Sequence, residues 1–313
     1  IFLNDLTTQP NFTTDLTISN LSVNRDTIGD LNAKIDNTKS NVFATNLTIT
    51  GRGNDVALTG NYYLKAENNS NMDLNLNIKS LQLKTIEAAS MGSIRDGKGF
   101  LSGNVDIGGT IKVPDIAGTL SFHKTSVVVT ALNSEFRIDE EQIIAVDDKG
   151  LRFNSFTVRD FSENKLTLHG LASTKNYLNY EFDLSLKANN FRALNSTKKD
   201  NDLYYGQLFF DTNLRLSGTE SSPVIDGALR INEDTRLTVV LPQSQPGVVE
   251  REGVVVFTDK DAPLNDSLFL AAMDSLNKTT ILGMELSTNI EIDKKAVINL
   301  VIDEGNGDFI KLQ

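Results

Sequence analysis

Apolar and polar residues alternate along most of this chain of 313 residues. Successive side chains of a β-strand point to opposite faces, so the pattern predicts strands with one apolar and one polar face. The polar positions are rich in Asn, Asp, Ser and Thr, and helical periodicity is rare. The chain is therefore predicted to be all-β. The clearest alternating segments are 42–50, 74–79, 100–107, 181–187, 208–216, 286–292 and 296–302.

Two segments depart from this pattern. Residues 81–91 are predicted to be a strand that runs into a short helix. Residues 266–277 predict a second helix, because Asp266 can cap its start and Ala, Leu and Met favour its interior. This helix lies in a predicted insertion at 241–284, which opens with a loop containing Pro and Gly. We interpret its apolar stripe as a cap or plug for the sheet, with a partner-binding or membrane-touching element as the alternative.

One motif, G-T-x-x-x-P-x-I-x-G-x-L, occurs at 109–120 and again 109 residues later at 218–229. Glycine tolerates the positive φ of a tight turn, and proline is best accommodated at the start of a strand. The motif therefore predicts a turn that leads into a strand, and it contains no nucleophile, base or ligand cluster. Its structural positions are Gly109, Pro114, Gly118, Gly218, Pro223 and Gly227.

Two further internal similarities agree with this spacing. Residues 54–60 resemble 164–170, and the alternating segment 74–78 is matched by 182–186, each about 108–110 residues apart. The insertion at 241–284 would belong to the last complete unit. The predicted units are 1–69 as the end of a preceding β-groove repeat, 70–178 and 179–290 as complete β-groove repeats, and 291–313 as the start of the following strands.

The apolar strand faces need a cover. Helices are too few to provide it, so sheet must cover sheet, as in a sandwich, a β-helix or one long sheet that curls along its length. Leaving a large apolar side chain in water forgoes roughly 1.5–3 kcal/mol, so something must fill the inside. The pattern leaves open whether protein side chains or a ligand such as lipid provide the filling.

Composition removes several functional classes. The net charge of −11 and the pI of about 4.8 are unfavourable for nucleic-acid binding, which needs clustered Lys and Arg. Cysteine is absent, which excludes disulfides and Cys-ligated metals. No apolar run approaches the ~18 residues of a membrane-spanning helix. Because the chain starts at Ile1 without a signal peptide or anchor, we expect it to be an internal piece of a longer protein.

Candidate catalytic and metal-binding residues are few. His123 and His169, the two histidines, are predicted on polar strand faces without a further ligand at metal-binding spacing. The acidic runs at 139–141 and 147–148 are interpreted as solvated edges, not as acid–base or calcium sites. No common nucleophile, phosphate-binding or zinc-protease motif is present. We therefore predict a protein that is not an enzyme, with no catalytic residue, no metal and no cofactor.

Three stretches resemble one family of bacterial envelope proteins. They are the repeated turn motif, the phrase Val-Glu-Arg-Glu-Gly-Val-Val-Val-Phe at 249–257, and the closing strands at 290–293 and 302–309. These stretches are similar to the TamB-like translocation and assembly module proteins of the AsmA-like superfamily, and they look like the C-terminal half of a Bacteroidetes-type member. The resemblance extends from about residue 70 to residue 313.

The resemblance implies both a fold and a function. It implies an inner-membrane-anchored protein whose long body crosses the periplasm as a curled, taco-like β-sheet with an apolar groove. The implied activity is phospholipid transport or outer-membrane protein assembly, with an Omp85-class outer-membrane protein as partner. The N-terminal anchor and the region that contacts this partner are expected to lie outside this chain.

Pattern and resemblance together predict an elongated, curled β-sheet (a "β-taco" of repeating β-grooves) with an apolar interior and one short helical insertion. We predict a periplasm-spanning lipid conduit that moves phospholipids between the inner and outer membranes, supports outer-membrane protein assembly, or both. Phospholipid acyl chains would lie along the apolar faces, and no nucleic acid would bind. The predicted lining residues are Val105, Ile107, Ile116, Leu120, Phe122, Leu166, Leu168, Leu214, Leu216, Ile225, Leu229, Ile231, Leu237 and Val239.

Other interpretations stay open at this point. Units of this size are also typical of immunoglobulin-like domains, so an adhesin or stalk of tandem β-sandwich modules is the main alternative. Against it, the junctions near 70 and 179 lack linkers rich in Pro or Gly. A β-helical polysaccharide enzyme would need a carboxylate cluster on one strand face, and none is convincing. For each lining residue, a closed protein core is the alternative to an open groove.

Overall fold

The computed structural model describes residues 2–4, 11–39, 41–67, 70–177, 179–240, 280–281, 284–303 and 308–312. The predicted helix at 266–277 and most of the predicted insertion lie outside the described residues. Within them the chain is almost entirely β-strand, with a single short α-helix, α1 (Leu83–Ala89). The predictions of an all-β chain and of a strand running into a helix near 81–91 are both confirmed.

The described residues contain twenty strands. The first ten are β1 (Phe2–Asn4), β2 (Asn11–Val23), β3 (Asp26–Asp36), β4 (Val42–Gly51), β5 (Asn54–Glu67), β6 (Ser70–Gln82), β7 (Ile94–Gly109), β8 (Pro114–Val129), β9 (Ser134–Ile138) and β10 (Ile143–Asp147). The others are β11 (Gly150–Arg159), β12 (Lys165–Thr174), β13 (Tyr180–Ser196), β14 (Tyr204–Thr219), β15 (Ser222–Ile231), β16 (Arg236–Val240), β17 (Thr280–Ile281), β18 (Met284–Ile292), β19 (Val297–Asp303) and β20 (Asp308–Leu312).

All of these strands belong to one sheet. Strands β2 to β8 form an antiparallel meander, in which each strand pairs with the next. Strands β9 and β10 lie end to end between β8 and β11, and the meander then continues to β14. Strands β15 and β16 lie end to end along β14, and β18 and β19 pair with them in parallel. The sheet is therefore mixed, and it is long in the direction perpendicular to its strands.

Strand register places the apolar residues on one side of this sheet. Leu76 of β6 lies opposite Val105 of β7, which lies opposite Gly118 of β8. The intervening residues, such as the paired Asn77 and Asn104, point to the other side. We call the two sides the apolar face and the polar face.

The strands bend along a line that crosses the sheet, which we call the crease. Four residues other than glycine have a positive φ on it: Asn20 of β2, Lys124 of β8, Ser155 of β11 and Asn190 of β13. The pairing register shifts next to all four of them, as in β-bulges, which bend a strand. Where strands lie end to end, the bend falls in the turns at 139–142, 232–235 and 293–296. The bends give the sheet its curl.

The crease separates a long wall from a short wall, with a groove between them that is lined by the apolar face. The long wall extends from the crease to the hairpin turns at 109–114, 147–150, 174–180 and 219–222, which we call the hairpin rim. Leu101 and Phe122 of the long wall meet Val127 and Ile138 of the short wall in one core cluster. Because Phe122 and Val127 belong to the same strand, the strand must bend between them for both to reach the cluster.

The sheet is continuous across both predicted unit boundaries. Strand β5 pairs with β6 across the boundary near 70, and β12 pairs with β13 across the boundary near 179. Self-contained β-sandwich modules would not share a hydrogen-bonded ladder in this way. The tandem-sandwich interpretation of the architecture is therefore wrong, whereas the positions of the unit boundaries stay a prediction.

Candidate functional site

All fourteen predicted lining residues lie on the apolar face of the sheet. Ile107 is paired with Ile116, and Leu216 with Ile225, so residues from both predicted units share one surface. Val105, Phe122 and Ile231 are buried. The others are half-buried: Ile107, Ile116, Leu120, Leu166, Leu168, Leu214, Leu216, Ile225, Leu229, Leu237 and Val239.

One row of directly paired residues, which we call the central row, crosses this face from β3 to β15. Its members are apolar or glycine, and none carries a charge. Neighbouring strands are about 4.8 Å apart, so the row extends for about 50 Å. Its members are Leu31, Ile49, Val56, Ile78, Gly103, Leu120, Ile144, Phe153, Gly170, Leu184, Leu216 and Ile225.

Protein side chains cover this face only in part. In a closed core most large apolar side chains are fully buried, whereas most of the predicted lining residues keep accessible surface. Accessibility is higher toward both ends of the sheet: Leu16 and Ile18 of β2 are 46% and 37% exposed, and Ile290 of β18 is 54% exposed. A large exposed apolar surface marks a binding site more often than an ordinary surface. The groove is therefore the candidate functional site.

Charged side chains lie on the opposite, polar face. Lys34 and Asp15 form an ion pair there at 3.4 Å, and Arg215 and Asp183 form another at 2.9 Å. Both pairs are largely exposed. In the described part of the sheet the two faces thus differ in polarity, and the central row offers an apolar chain a long contact without a charge to desolvate.

The motif glycines occupy equivalent places in the two copies. Gly109 and Gly218 have φ values of 72° and 83° and close the β7–β8 and β14–β15 hairpins, as predicted. Gly118 lies on the apolar face, where an added Cβ would be 2.2 Å from the carbonyl oxygen of Asn104. At Gly227 the corresponding distance, to the carbonyl oxygen of Asn213, is 2.3 Å. Both positions therefore need glycine because the neighbouring backbone is too close for a side chain.

A set of phenylalanines in the groove was missed by the sequence analysis. The ring of Phe156 is 5.2 Å from that of Phe122, and the ring of Phe191 is 5.6 Å from Phe136 and 5.9 Å from Phe210. Phe156 and Phe191 follow the bulges at Ser155 and Asn190, where strict alternation fails. A register shift of one residue moves side chains to the other face, so simple alternation could not assign these rings to the groove.

The structure also describes residues that were considered for other chemistry. His123 lies on the polar face, 2.7 Å from the Ser102 hydroxyl and stacked on Phe100, and His169 is exposed. Asp147 pairs with Arg152 at 2.8 Å, and this hydrogen bond holds the pKa of Asp147 below its ordinary value. Within the described residues, no three His, Cys, Asp or Glu side chains come together in a metal-binding group.

Comparison with known proteins identifies the family. In the described part of the chain, no helix combines the length and apolarity needed to cross a bilayer. No curated protein matches the chain, and no solved structure matches it. The family model of the TamB C-terminal domain matches residues 44–150 and 154–310, which is most of the chain. The chain therefore belongs to the family of the TamB C-terminal domain.

Proposed function

We propose that this chain is part of a non-enzymatic lipid conduit, in which phospholipid acyl chains lie in the apolar groove while their headgroups stay in water. Membership of the TamB family supports a role in envelope lipid transport or protein assembly in general. The finer assignment is a conduit that spans the periplasm and moves phospholipids between the inner and outer membranes. Support of outer-membrane protein assembly is the second activity included in the proposal.

The central row is the single observation that carries this proposal. It combines an uncharged, continuous apolar surface with incomplete coverage by protein side chains. Each methylene group that moves from water into such a groove contributes about 0.8 kcal/mol, so a partly inserted acyl chain would be held firmly. No step in this mechanism needs a nucleophile or an acid–base pair, and the lining residues need only be apolar and uncharged.

The partners follow from the same proposal. Phospholipid acyl chains would lie along the apolar face that the fourteen predicted lining residues share. An Omp85-class outer-membrane protein and the inner membrane would be reached through regions outside this chain. The alternative of an adhesin loses its support, because the strands form one continuous sheet and not separate modules.

Site-specific photocrosslinking tests the proposal. A benzophenone amino acid is introduced at Leu120, on the apolar face, or at the adjacent Thr119, on the polar face. The full chain is produced in the periplasm of a Gram-negative host, irradiated, and analysed by mass spectrometry. We expect phospholipid adducts from position 120 and none from position 119. Equal yields at the two positions, or none at 120, would contradict the proposal.

A further inference from the structure

The groove is not equally open along each strand. On β8, Ile116 near the hairpin rim is half-buried, whereas Phe122 at the crease is only 8% exposed. On β7, Ile107 is likewise half-buried, whereas Val105 and Leu101, which lie closer to the crease, are buried. One side of the groove is therefore accessible at these strands, and the other side is filled.

Helix α1 fills the crease side. Its residue Leu83 is buried against Leu101, Phe122 and Phe156, and Ile86 packs against the same cluster. Packed protein interiors leave few voids larger than a water molecule, so a cluster of this kind leaves no space for a lipid chain.

The helix also replaces a missing piece of wall. Strand β4 ends at Gly51 and β5 begins at Asn54, so both strands stop near the crease. Strands β7 and β8, in contrast, continue beyond it into the short wall. Helix α1 lies against β3, β6, β7 and β8, which places it over this gap. It thus covers the groove where the short wall lacks strands.

Side-chain hydrogen bonds hold α1 in this position. The buried Asn54 side chain donates to the Thr85 hydroxyl at 2.7 Å and accepts from the Gln82 backbone N–H at 2.8 Å. At the other end of the helix, the Asn24 side chain donates to the Ala88 carbonyl oxygen at 2.6 Å. Both ends of a helix of seven residues are therefore tied to turns of the sheet.

We propose that α1 is a fixed constriction of the groove, in which Leu83 and Ile86 take the place that an acyl chain would occupy at the crease. An acyl chain that passes this point lies on the hairpin-rim side, against Ile107 and Ile116. Phe122, although it is on the apolar face, does not contact lipid. This inference rests on the proposed lipid-conduit function, and it assigns α1 the role of limiting how many chains fit side by side.

Photoreactive lipid tests the constriction without a probe in the protein. The full chain is incubated with vesicles of phosphatidylethanolamine and phosphatidylglycerol that contain a phospholipid with a diazirine on its acyl chain. After irradiation, the modified residues are mapped by mass spectrometry. If α1 denies an acyl chain the burial of two methylene groups at the crease, the equilibrium constant for lipid at that position falls about tenfold. We therefore expect adducts at Leu101 and Phe122 to be at least about tenfold rarer than adducts at Ile107 and Ile116.

The variant Leu83→Ala/Ile86→Ala should raise the adducts at Leu101 and Phe122 to the level of the hairpin-rim side. Met91→Ala is the matched control, because Met91 follows the same helix but is 90% exposed, and it should leave the pattern unchanged. If the double variant does not fold, Ile86→Ala alone is measured in its place. Adducts at Phe122 as frequent as those at Ile116 in the unaltered chain, or an unchanged pattern in the folded helix variant, would overturn the constriction. A complete lack of adducts on the apolar face would instead overturn the proposed function.

Discussion

Replacing Ile116 and Leu120 together by Asp tests whether the apolar face is an open groove or a closed core. Both residues lie on the long wall in β8, and both are half-buried. Full burial of such a side chain contributes roughly 1.5–3 kcal/mol, so removing two half-buried ones should destabilise the fold by about 2 kcal/mol. Typical domains are stable by about 5–15 kcal/mol, so the variant should remain folded.

The effect on lipid should be larger. An acyl chain cannot lie against two carboxylates without desolvating them, so it should withdraw from this part of the groove. Loss of contact by about four methylene groups costs about 3 kcal/mol, which weakens binding by a factor of about 150. Lipid that co-purifies with the unaltered chain should therefore be absent from the variant.

Native mass spectrometry of the detergent-free protein measures the bound lipid, and circular dichroism measures the fold. Ala117→Asp/Thr119→Asp is the matched control, because it adds the same two charges to the same strand at exposed positions of the polar face. The control should keep its lipid. Unfolding of the Ile116→Asp/Leu120→Asp variant while the control stays folded would show a closed core, and equal lipid in both would refute the groove.

Three further predictions concern stability. Gly118→Ala should lower the free energy of unfolding, measured in urea, by about 1–3 kcal/mol, because the added Cβ would be 2.2 Å from the Asn104 carbonyl oxygen. In the control Gly108→Ala the nearest atom is 3.7 Å from the added Cβ, so the free energy of unfolding should change by less than about 1 kcal/mol. Equal effects of the two substitutions would contradict the close approach at Gly118. Phe191→Ala should lower the free energy of unfolding by about 3–5 kcal/mol, because it leaves a cavity between Phe136 and Phe210. A loss of less than about 1 kcal/mol in a urea titration would mean that these rings do not form a packed cluster. The hydrogen bond from Arg152 lowers the pKa of Asp147 below 3.8. The ionised Asp147 therefore stabilises the folded chain at a pH above 3.8, and this stabilisation is lost as the pH falls through the lowered pKa. Urea midpoints at pH 7 and pH 3 should thus differ slightly more for the unaltered chain than for Arg152→Gln, and an equal pH dependence would contradict the pairing.

Local alternation was sufficient to predict the apolar face. Ile116 and Leu120 could be assigned to it because β8 is regular over 114–122, and each apolar residue there is followed by a more polar one. The turn at the motif glycines and prolines could be predicted as well, since the backbone requirements of these residues are local. The prediction of α1 rested on the departure of residues 81–91 from the alternating pattern, whereas its start after Gln82 is known from the structure.

The crease and the aromatic cluster could not be predicted from alternation. A bulge such as the one at Ser155 inserts a residue and reverses which side the following residues face, so Phe156 appears to belong to the wrong face. The end-to-end placement of β9 and β10 depends on pairing with β8 and β11, which is decided by distant parts of the chain. The parallel pairing of β15 with β18 is non-local for the same reason.

The bends of the crease have a consequence for how a guest would enter the proposed conduit. They are set by backbone conformation and by hydrogen bonds such as those that the backbone N–H groups of Asn20 and Asn190 donate to the carboxylates of Asp30 and Asp211. Both partners of each bond belong to the protein, so the curvature does not depend on a guest in the groove. A guest would then enter a preformed groove with little ordering of the protein, which lowers the free-energy cost of binding.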